Sequence, residues 1–194
     1  MRVNVNDIIS KVRINIDEIA TNASESVLEK DDEEMDEIIR HKISEAIRFV
    51  IEHADWKYLE PNKVISGEGA SQDMTISDDY IGTFKLDAKF LRLCYAKFKT
   101  WTRYVSDIIY WNEEEYAKLA DRFSTGTSDR PLVAMVMTPE KKLELYRASY
   151  KEEPWTIGIV VETDTEIIDG QECLDFPEKL IPALVNYATA TTLM

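Results

Sequence analysis

The spacing of apolar residues changes twice along this chain, and that change limits the folds it can adopt. Residues 5–20 and 31–54 carry isoleucine, valine and alanine at intervals of three and four, the spacing of one buried helix face. Residues 83–111 are instead rich in aromatic and β-branched side chains with partial alternation, as in strands. Helical spacing returns in residues 176–194. The sequence therefore predicts helices at both ends and a sheet between them.

The two N-terminal helices have recognisable first turns. Asn6 is predicted as the N-cap of the first helix. Asp31 or Asp32 is predicted as the N-cap of the second, where Glu34 stands at capping-box spacing from Asp31. The acidic run at residues 30–37 lies where the helix dipole favours negative charge, so we interpret it as a solvated helix start.

The last helix is predicted to begin at Pro177, because the first helical position needs no N–H, and Glu178 favours the positive end of the dipole. Its apolar stripe consists of Leu180, Ile181, Leu184, Tyr187, Ala188 and Thr191. The sequence then reaches Met194 without the glycine, asparagine or basic turn that usually ends a helix. We therefore expect this end to be covered, by the rest of its own fold or by a neighbouring subunit.

The composition limits the function classes. The 194 residues include 37 acidic and 23 basic ones, a net charge of −14, which argues against a nucleic-acid binder with a clustered basic surface. Three interpretations of the charge stay open: solubility, an acidic wall along a DNA channel, and an acidic mimic of DNA. Cys94 and Cys173 lie far apart, so we expect no disulfide framework or paired metal site, and synthesis in a reducing cytoplasm. No apolar run reaches ~18 residues, so no membrane partner is expected.

The middle of the chain completes the prediction of fold class. Residues 112–123 are predicted as a short helix capped by Asn112, and residues 132–137, 143–147 and 155–161 as short strands. The predicted fold is α+β, a small helical bundle of two N-terminal helices plus the C-terminal helix, with a short antiparallel β-sheet insertion. A single domain is expected, with a helical core at 5–58 and 177–194, a β-rich insertion at 62–162 and an acidic loop at 162–176.

The sequence shows no catalytic constellation. His41 and His53 are twelve residues apart, which is not the spacing of a helical metal pair, so we interpret both as surface or interface residues. The glycines of residues 66–70 match no phosphate-binding or dinucleotide-binding fingerprint. Four acidic residues near the C-terminal helix could surround a hard cation, but they lack the spacing and central glycine of a calcium loop; they are Asp164, Glu166, Asp169 and Glu172. No catalytic, cofactor-binding or metal-binding residue is predicted, and the chain is not expected to be an enzyme.

One basic segment contrasts with the acidic background. Its cations are Lys85, Lys89, Arg92, Lys97, Lys99 and Arg103, and the aromatic residues between and beside them are Phe90, Tyr95, Phe98, Trp101 and Tyr104. Such a strand could bind nucleic acid by phosphate contact and stacking. It could also be the wet face of a sheet that pairs with acidic loops, or dock on the acidic loop of a neighbouring subunit. The sequence leaves these three interpretations open.

The order of the elements resembles that of the adaptor proteins of tailed bacteriophages, also called head-to-tail connector or ring proteins, in particular the short-tailed type. The resemblance lies in the helix MDEIIRHKISEAIRFVIEHAD, the strand region FKLDAKFLRLCYAKFKTW, the segment RPLVAMVMTPEKKLELYRA and, after an acidic stretch, the helix FPEKLIPALVNYATA. It covers most of the chain in order and spacing. In those proteins the last helix packs beside the first two.

This resemblance implies a structural role in the virion. Copies of the chain, commonly twelve in this family, would form a homo-oligomeric ring between the portal protein and the tail proteins. DNA would pass through the lumen without sequence-specific binding, and the chain would be made in the host cytoplasm. The predicted subunit-interface residues are Leu184, Tyr187, Thr191, Met194, Lys97, Lys99, Arg103, Asp164 and Glu166.

Two functions from other classes are the alternatives. An acidic DNA mimic that blocks a DNA-binding protein would carry its carboxylates along one face, whereas in this sequence they are scattered. A hydrolase with an acidic site would need a cleft and carboxylates with perturbed pKa values.

Overall fold

The computed structural model describes residues 2–23, 32–70, 73–121, 123–137, 140–148, 153–162, 166–168 and 171–194. The chain divides into two compact units, which are Met1–Leu59 with Glu162–Met194, and Glu60–Val161. The helices are α1 (Val5–Ala23), α2 (Asp32–His53), α3 (Glu114–Lys118) and α4 (Ile181–Thr192), with 3₁₀ turns at Trp56–Tyr58 and Glu178–Leu180. The strands are β1 (Arg2–Asn4), β2 (Lys63–Glu68), β3 (Met74–Ile76), β4 (Ile81–Lys85), β5 (Phe90–Phe98), β6 (Ile109–Tyr110), β7 (Val133–Val136), β8 (Lys142–Tyr146), β9 (Pro154–Val161), β10 (Glu166–Ile168) and β11 (Gln171–Asp175).

The prediction of a small helical bundle with a short sheet insertion is wrong. The fold is α+β but mostly sheet, because the described residues form eleven strands in three sheets and four helices. Sheet I has the strand order β1-β11-β10, sheet II the order β2-β9-β5, and sheet III the order β3-β4-β8-β7-β6. Several of these strands are short and pair across long sequence distances, so local alternation does not reveal them. Two of them, β10 and β11, lie in the segment predicted as an acidic loop.

Sheet I joins distant parts of the sequence in the first unit. β1 pairs antiparallel with β11, with Arg2 opposite Asp175 and Asn4 opposite Cys173. β1 continues directly into α1, and the side-chain oxygen of Asn4 accepts a hydrogen bond from the backbone N–H of Asn6 at 2.9 Å. Asn4 is therefore the N-cap of α1, and the prediction of Asn6 is wrong because the cap is the last residue of a strand.

Ion pairs tie α2 to the C-terminal part of the first unit. Arg40 pairs with Glu172 of β11, and Arg48 pairs with Glu162 at 2.9 Å. All four side chains are partly exposed, so each pair contributes at most about 1 kcal/mol to stability. The two pairs hold α2 beside Glu162 and β11, which follow the second unit in the sequence.

The core of the first unit lies between α1, α2 and α4. The predicted helices at residues 5–20 and 31–54 are confirmed within the described residues, and their apolar stripes are buried. The fully buried side chains include Ile8, Ile16, Ile39, Ala46, Leu184 and Ala188. Ile19 differs from the prediction, since it is 48% exposed and lies away from the buried face of α1.

The last helix begins later than predicted. Pro177 is extended, with ψ at 121°, and precedes a 3₁₀ turn, so it is not the first helical residue. Pro182 instead lies in the first turn of α4, where the missing N–H leaves no hydrogen bond unmade.

Sheets II and III of the second unit pack their inner faces on one hydrophobic core. Phe98 and Trp155 come from sheet II, and Phe84 and Leu145 from sheet III. The rings of Phe84 and Trp155 meet edge-on, with their centres 6.1 Å apart. The indole N–H of Trp155 donates to the backbone oxygen of Gly69 at 2.9 Å, so burial of this side chain leaves no polar atom unpaired.

The helix α3 covers the outer face of sheet III. Tyr116 and Leu119 pack there against Ala134 and Tyr146 in a second, smaller apolar cluster. The helix is shorter than the predicted 112–123, and its N-cap is Glu113 instead of Asn112. The Glu113 carboxylate accepts a hydrogen bond from the backbone N–H of Tyr110 at 2.9 Å, which holds the turn before the helix.

Gly126 makes a close turn possible after α3. Its φ is +75°, and a Cβ atom at this position would lie 2.4 Å from the backbone oxygen of Arg130. The backbone oxygen of Gly126 accepts a hydrogen bond from Nε of Arg147 at 3.0 Å, which connects the loop to the end of β8.

We expect Gly126→Ala to lower the free energy of unfolding by about 2 kcal/mol, because alanine is strained at this φ and its Cβ would collide with the backbone. Urea denaturation followed by tryptophan fluorescence measures the change. Ser124→Ala, an exposed change in the same loop, is the matched control and should shift stability by less than about 0.5 kcal/mol. Equal stability of the two variants would contradict the requirement for glycine at position 126.

Candidate functional site

The four predicted interface residues in the C-terminal segment differ in accessibility. Leu184 is fully buried in the core of the first unit. Tyr187 and Thr191 are half-buried, and the Thr191 hydroxyl donates to the backbone oxygen of Tyr187 at 3.0 Å. Met194 is fully exposed. Leu184 therefore positions α4, whereas the other three residues present atoms at the surface. A subunit interface at this helix stays a prediction.

Tyr187 belongs to a stack of three rings on the first unit. The Phe49 ring lies 4.2 Å from the Tyr187 ring and 4.1 Å from the His53 ring, in nearly parallel planes, so it lies between the two. Nδ1 of His53 lies 2.8 Å from the backbone oxygen of Phe49 and donates to it, because a carbonyl oxygen can only accept. Phe49 is nevertheless 40% exposed. The sequence prediction missed this stack, although Phe49 and His53 have the i, i+4 spacing of neighbours on a helix.

The exposed surface of α4 carries no charge. The sequence from Ile181 to Met194 contains no Asp, Glu, Lys or Arg, whereas charged residues make up 31% of the chain. The exposed positions are Pro182, Ala183, Asn186, Ala190, Leu193 and Met194. Such a surface can lose its water without the desolvation cost of buried charge, and its small side chains allow another backbone to approach closely.

The acidic residues of the predicted interface are described only in part. Asp164 lies outside the described residues, as does Asp169. Glu166 lies in β10, where its backbone is opposite Cys173. Glu172 is half-buried and pairs with Arg40. In the described part of the chain, no three His, Cys, Asp or Glu residues lie close enough to bind a metal ion together.

The predicted basic residues Lys97, Lys99 and Arg103 lie on sheet II and in the loop that follows it. Lys97 is half-buried on the outer face of β5, and its amine lies 4.9 Å from the centre of the Tyr104 ring. The Tyr104 ring meets the Tyr95 ring edge-on, with 5.4 Å between their centres. Lys99 and Arg103 are exposed. The structure therefore brings Lys97 together with both tyrosines, a contact between a cation and an aromatic face that is stabilising by itself.

Of the other cations of the basic segment, Arg92 is half-buried in β5 of sheet II, nearer the start of the strand than Lys97, and the remaining two lie elsewhere. Lys85 is in β4 of sheet III, where it pairs with Glu140 at 3.1 Å. Lys89 lies in the turn before β5 and is exposed. The basic segment of the sequence is thus divided between two sheets, and only its second half forms one surface.

A polar cluster fixes α3 on sheet III. The hydroxyls of Tyr116 and Tyr146 donate to the same oxygen of Glu144, at 3.1 and 3.0 Å. Lys142 pairs with the other oxygen at 2.9 Å. Burial, followed by the charge of Glu144, raises the pKa of both tyrosines, so their hydroxyls stay protonated donors at neutral pH.

The two cysteines lie in different surroundings, and both are free thiols. Cys94 is buried in sheet II, and burial raises the pKa of its thiol to about 11. Cys173 is half-buried in β11.

A comparison with protein-family models gives no match for this chain, and neither does a comparison with curated protein sequences. None of the described helices is long and apolar enough to cross a membrane.

We expect Tyr187→Ala to lower the free energy of unfolding by about 1–2 kcal/mol, because it removes a half-buried ring and its stacking on Phe49. Tyr187→Phe keeps the ring and should change stability by less than about 0.5 kcal/mol. Chemical denaturation monitored by circular dichroism compares the two. An equal loss in both variants would show that the hydroxyl, and not the stack, stabilises the helix.

We expect iodoacetamide to label Cys173 at least about tenfold faster than Cys94 at pH 8. With its pKa raised to about 11, only about 0.1% of the Cys94 thiol is ionised at that pH, and burial also limits access. The Cys94 rate should rise about tenfold per pH unit for as long as the fold persists below that pKa. Peptide mass spectrometry measures both rates, and urea-unfolded protein is the control, in which the two rates should converge. Equal rates in the native protein would contradict the burial of Cys94.

Proposed function

We propose that this chain is a structural adaptor protein of a tailed-bacteriophage virion. Copies of it form a ring that joins the portal protein to the tail, and DNA passes through the lumen without being read. The protein is made in the host cytoplasm and acts as part of the virion, without a catalytic step or a cofactor.

The packing of α4 against α1 and α2 is the observation that carries this proposal. Asn15 of α1 donates to Thr189 of α4 at 3.5 Å, across a sequence separation of 174 residues. Phe49 of α2 stacks on Tyr187 of α4. The adaptor proteins that the sequence resembles pack their last helix beside the first two, so this contact agrees with the arrangement that the resemblance implies.

The distribution of charge supports the proposal in three ways. The uncharged outer surface of α4 suits a contact between copies, because no ion has to be desolvated. The net charge of −14 suits a lumen that repels phosphates, so that a duplex slides through without binding. The exposed carboxylates are scattered over both units, at Asp7, Asp17, Asp78 and Glu115 among others, which favours an adaptor over a DNA mimic with one acidic row.

A ring-assembly experiment tests the adaptor function. We expect the purified protein to be monomeric or weakly associating in light scattering, and to form rings stacked on the portal protein of the same genome in negative-stain images. A persistent monomer that does not bind that portal protein would contradict the proposed function.

We expect Ala190→Glu to reduce ring formation on the portal at least about tenfold, because it places a charge on the uncharged surface of α4 without touching the core. Ala88→Glu, the same change at an exposed turn of the second unit, is the matched control and should assemble normally. Particle counts in negative-stain images measure the effect, and an unchanged melting temperature establishes that both variants are folded. Normal assembly of Ala190→Glu would exclude this surface from the subunit contact.

A further inference from the structure

The second unit has two outer faces of opposite charge. The basic face is the outer surface of sheet II together with the loop after β5: Val64, Tyr95 and Lys97 lie on the strands, and Lys99, Arg103 and Tyr104 follow β5. The exposed Glu68 of β2 is the acidic residue that shares this side of the sheet with Val64. The acidic face is the surface around α3 and consists of Glu113, Glu114, Glu115, Tyr110 and Trp111. Sheets II and III share one inner core, and α3 covers the outer side of sheet III. The two faces therefore lie on opposite sides of the same compact unit.

Among the described residues, the cations of the basic face have no carboxylate partner. Within the described residues, no acidic group lies at ion-pair distance from Lys97, Lys99 or Arg103. Lys85 and Lys118 of the same unit, by contrast, each pair with a glutamate at 3.1 Å. Lys97, Lys99 and Arg103 therefore form a positively charged surface that no described carboxylate neutralises, in a chain with 37 acidic and 23 basic residues, and an acidic surface of a partner would neutralise it.

The basic face is also preorganised for contact. Gly158 of β9 lies opposite Tyr95, and a Cβ at this glycine would lie 2.5 Å from the Tyr95 ring, so the ring lies directly over the glycine. Tyr104 packs on Tyr95 and is 63% exposed. Aromatic rings that are already held in place lose little conformational freedom on binding, and such residues often dominate binding energy.

The acidic face has matching features. Glu115 is exposed and has no partner in the described structure, and Glu114 pairs only with Lys118 on the solvent side of α3. Tyr110 and Trp111 beside them are 42% and 45% exposed. The face thus combines three glutamates with two exposed aromatic side chains, as the basic face combines three cations with two tyrosines.

We propose that the basic face of one copy binds the acidic face of the next copy, as a head-to-tail contact. This inference rests on the proposed ring, because a ring needs two different patches that meet by rotation. Opposite faces of one compact unit meet this requirement, since each copy keeps one free face of each kind until the ring closes. The contact would pair up to three cations with three carboxylates around a central group of aromatic side chains.

Exposed apolar side chains favour a second copy of this chain over nucleic acid as the partner. Phosphates approaching the basic face would be repelled at long range by the net charge of −14. A neighbouring copy carries the same net charge, but it also offers aromatic side chains that can pack on Tyr104 and Val64. Both partners would then bury apolar surface as well as charge.

Charge reversal in the full chain tests the contact. The basic-reversed variant is Lys97→Glu/Arg103→Glu, and the acidic-reversed variant is Glu114→Lys/Glu115→Lys. Because Glu114 pairs with Lys118, Glu115→Lys alone serves as a second acidic-face variant that leaves this pair intact. Lys85→Glu/Lys89→Glu is the control, since it changes the net charge as much as the basic-reversed variant but lies outside both faces. Melting temperatures establish that each variant is folded.

Sedimentation velocity, run at protein concentrations high enough for the weakly associating control to self-associate measurably, measures the association of each variant alone and of the two reversed variants mixed. We expect each reversed variant alone to associate at least about tenfold more weakly than the control, because like charges then face each other. We expect the mixture to associate, since each reversed face meets a face of opposite charge, and to lose this association at about 0.5 M salt. Reversed variants that associate as the control does, or a mixture that stays monomeric, would overturn the inference.

Ring formation on the portal separates this inference from the proposed function. If the wild type and a reversed variant both form normal rings on the portal, the proposed contact is overturned and the adaptor function is left intact. Association of the mixture without any wild-type ring would support the contact and contradict the adaptor function. Binding of a fluorescent single-stranded poly-dT oligonucleotide that is lost in the basic-reversed variant, together with a monomeric mixture, would assign the basic face to nucleic acid and overturn the inference.

Discussion

The pairing of β1 with β11 is the constraint on which the rest of the structure depends. It places Arg2–Asn4 beside Gln171–Asp175, starts α1 at the Asn4 cap, and brings the segment before α4 to the first helices. The second unit is consequently an insertion with neighbouring ends, and the Asn62 side chain bonds both backbone groups of Val161, at 2.8 and 2.9 Å, where the chain enters and leaves it. Because the entropy of loop closure grows only slowly with length, the first unit tolerates an insertion of this size.

The sequence predicts those elements whose pattern is local. α1 and α2 follow from apolar stripes that repeat over several turns, and the predicted strands at 132–137, 143–147 and 155–161 agree within one residue at each end with β7, β8 and β9. β2 is missed, because Val64 faces outward and Gly67 has low strand propensity. The structure explains this glycine, since a Cβ at Gly67 would lie 2.7 Å from the buried Trp155 ring. Such a requirement depends on a partner strand almost ninety residues away, which local periodicity does not contain.

Local periodicity also fails to predict which residues share the candidate surfaces. The sequence predicts one basic-aromatic segment, whereas the structure assigns Lys85 to sheet III and Lys97 to sheet II. Within β5 the register shifts between Phe90 and Arg92 and again between Leu93 and Tyr95. Each extra residue moves the following side chains to the other face of the sheet, so alternation alone does not tell which cations share a surface. The grouping of Lys97 with Tyr104 depends on those shifts and on the return of the chain after Trp101, and it is therefore a property of the fold.

The net charge and the two oppositely charged faces depend differently on orientation. Two copies with a charge of −14 each repel one another in most orientations within about 10 Å in 0.1 M salt, whereas the opposed faces attract only when they are turned towards each other within that distance. Free copies in the proposed ring system are therefore kept apart until something holds them side by side. A portal ring that binds each copy separately raises the effective concentration of the neighbouring face, and contact attraction then exceeds the long-range repulsion. In the proposed ring system, the strong acidity of the chain would restrict ring formation to the place where the portal provides a template.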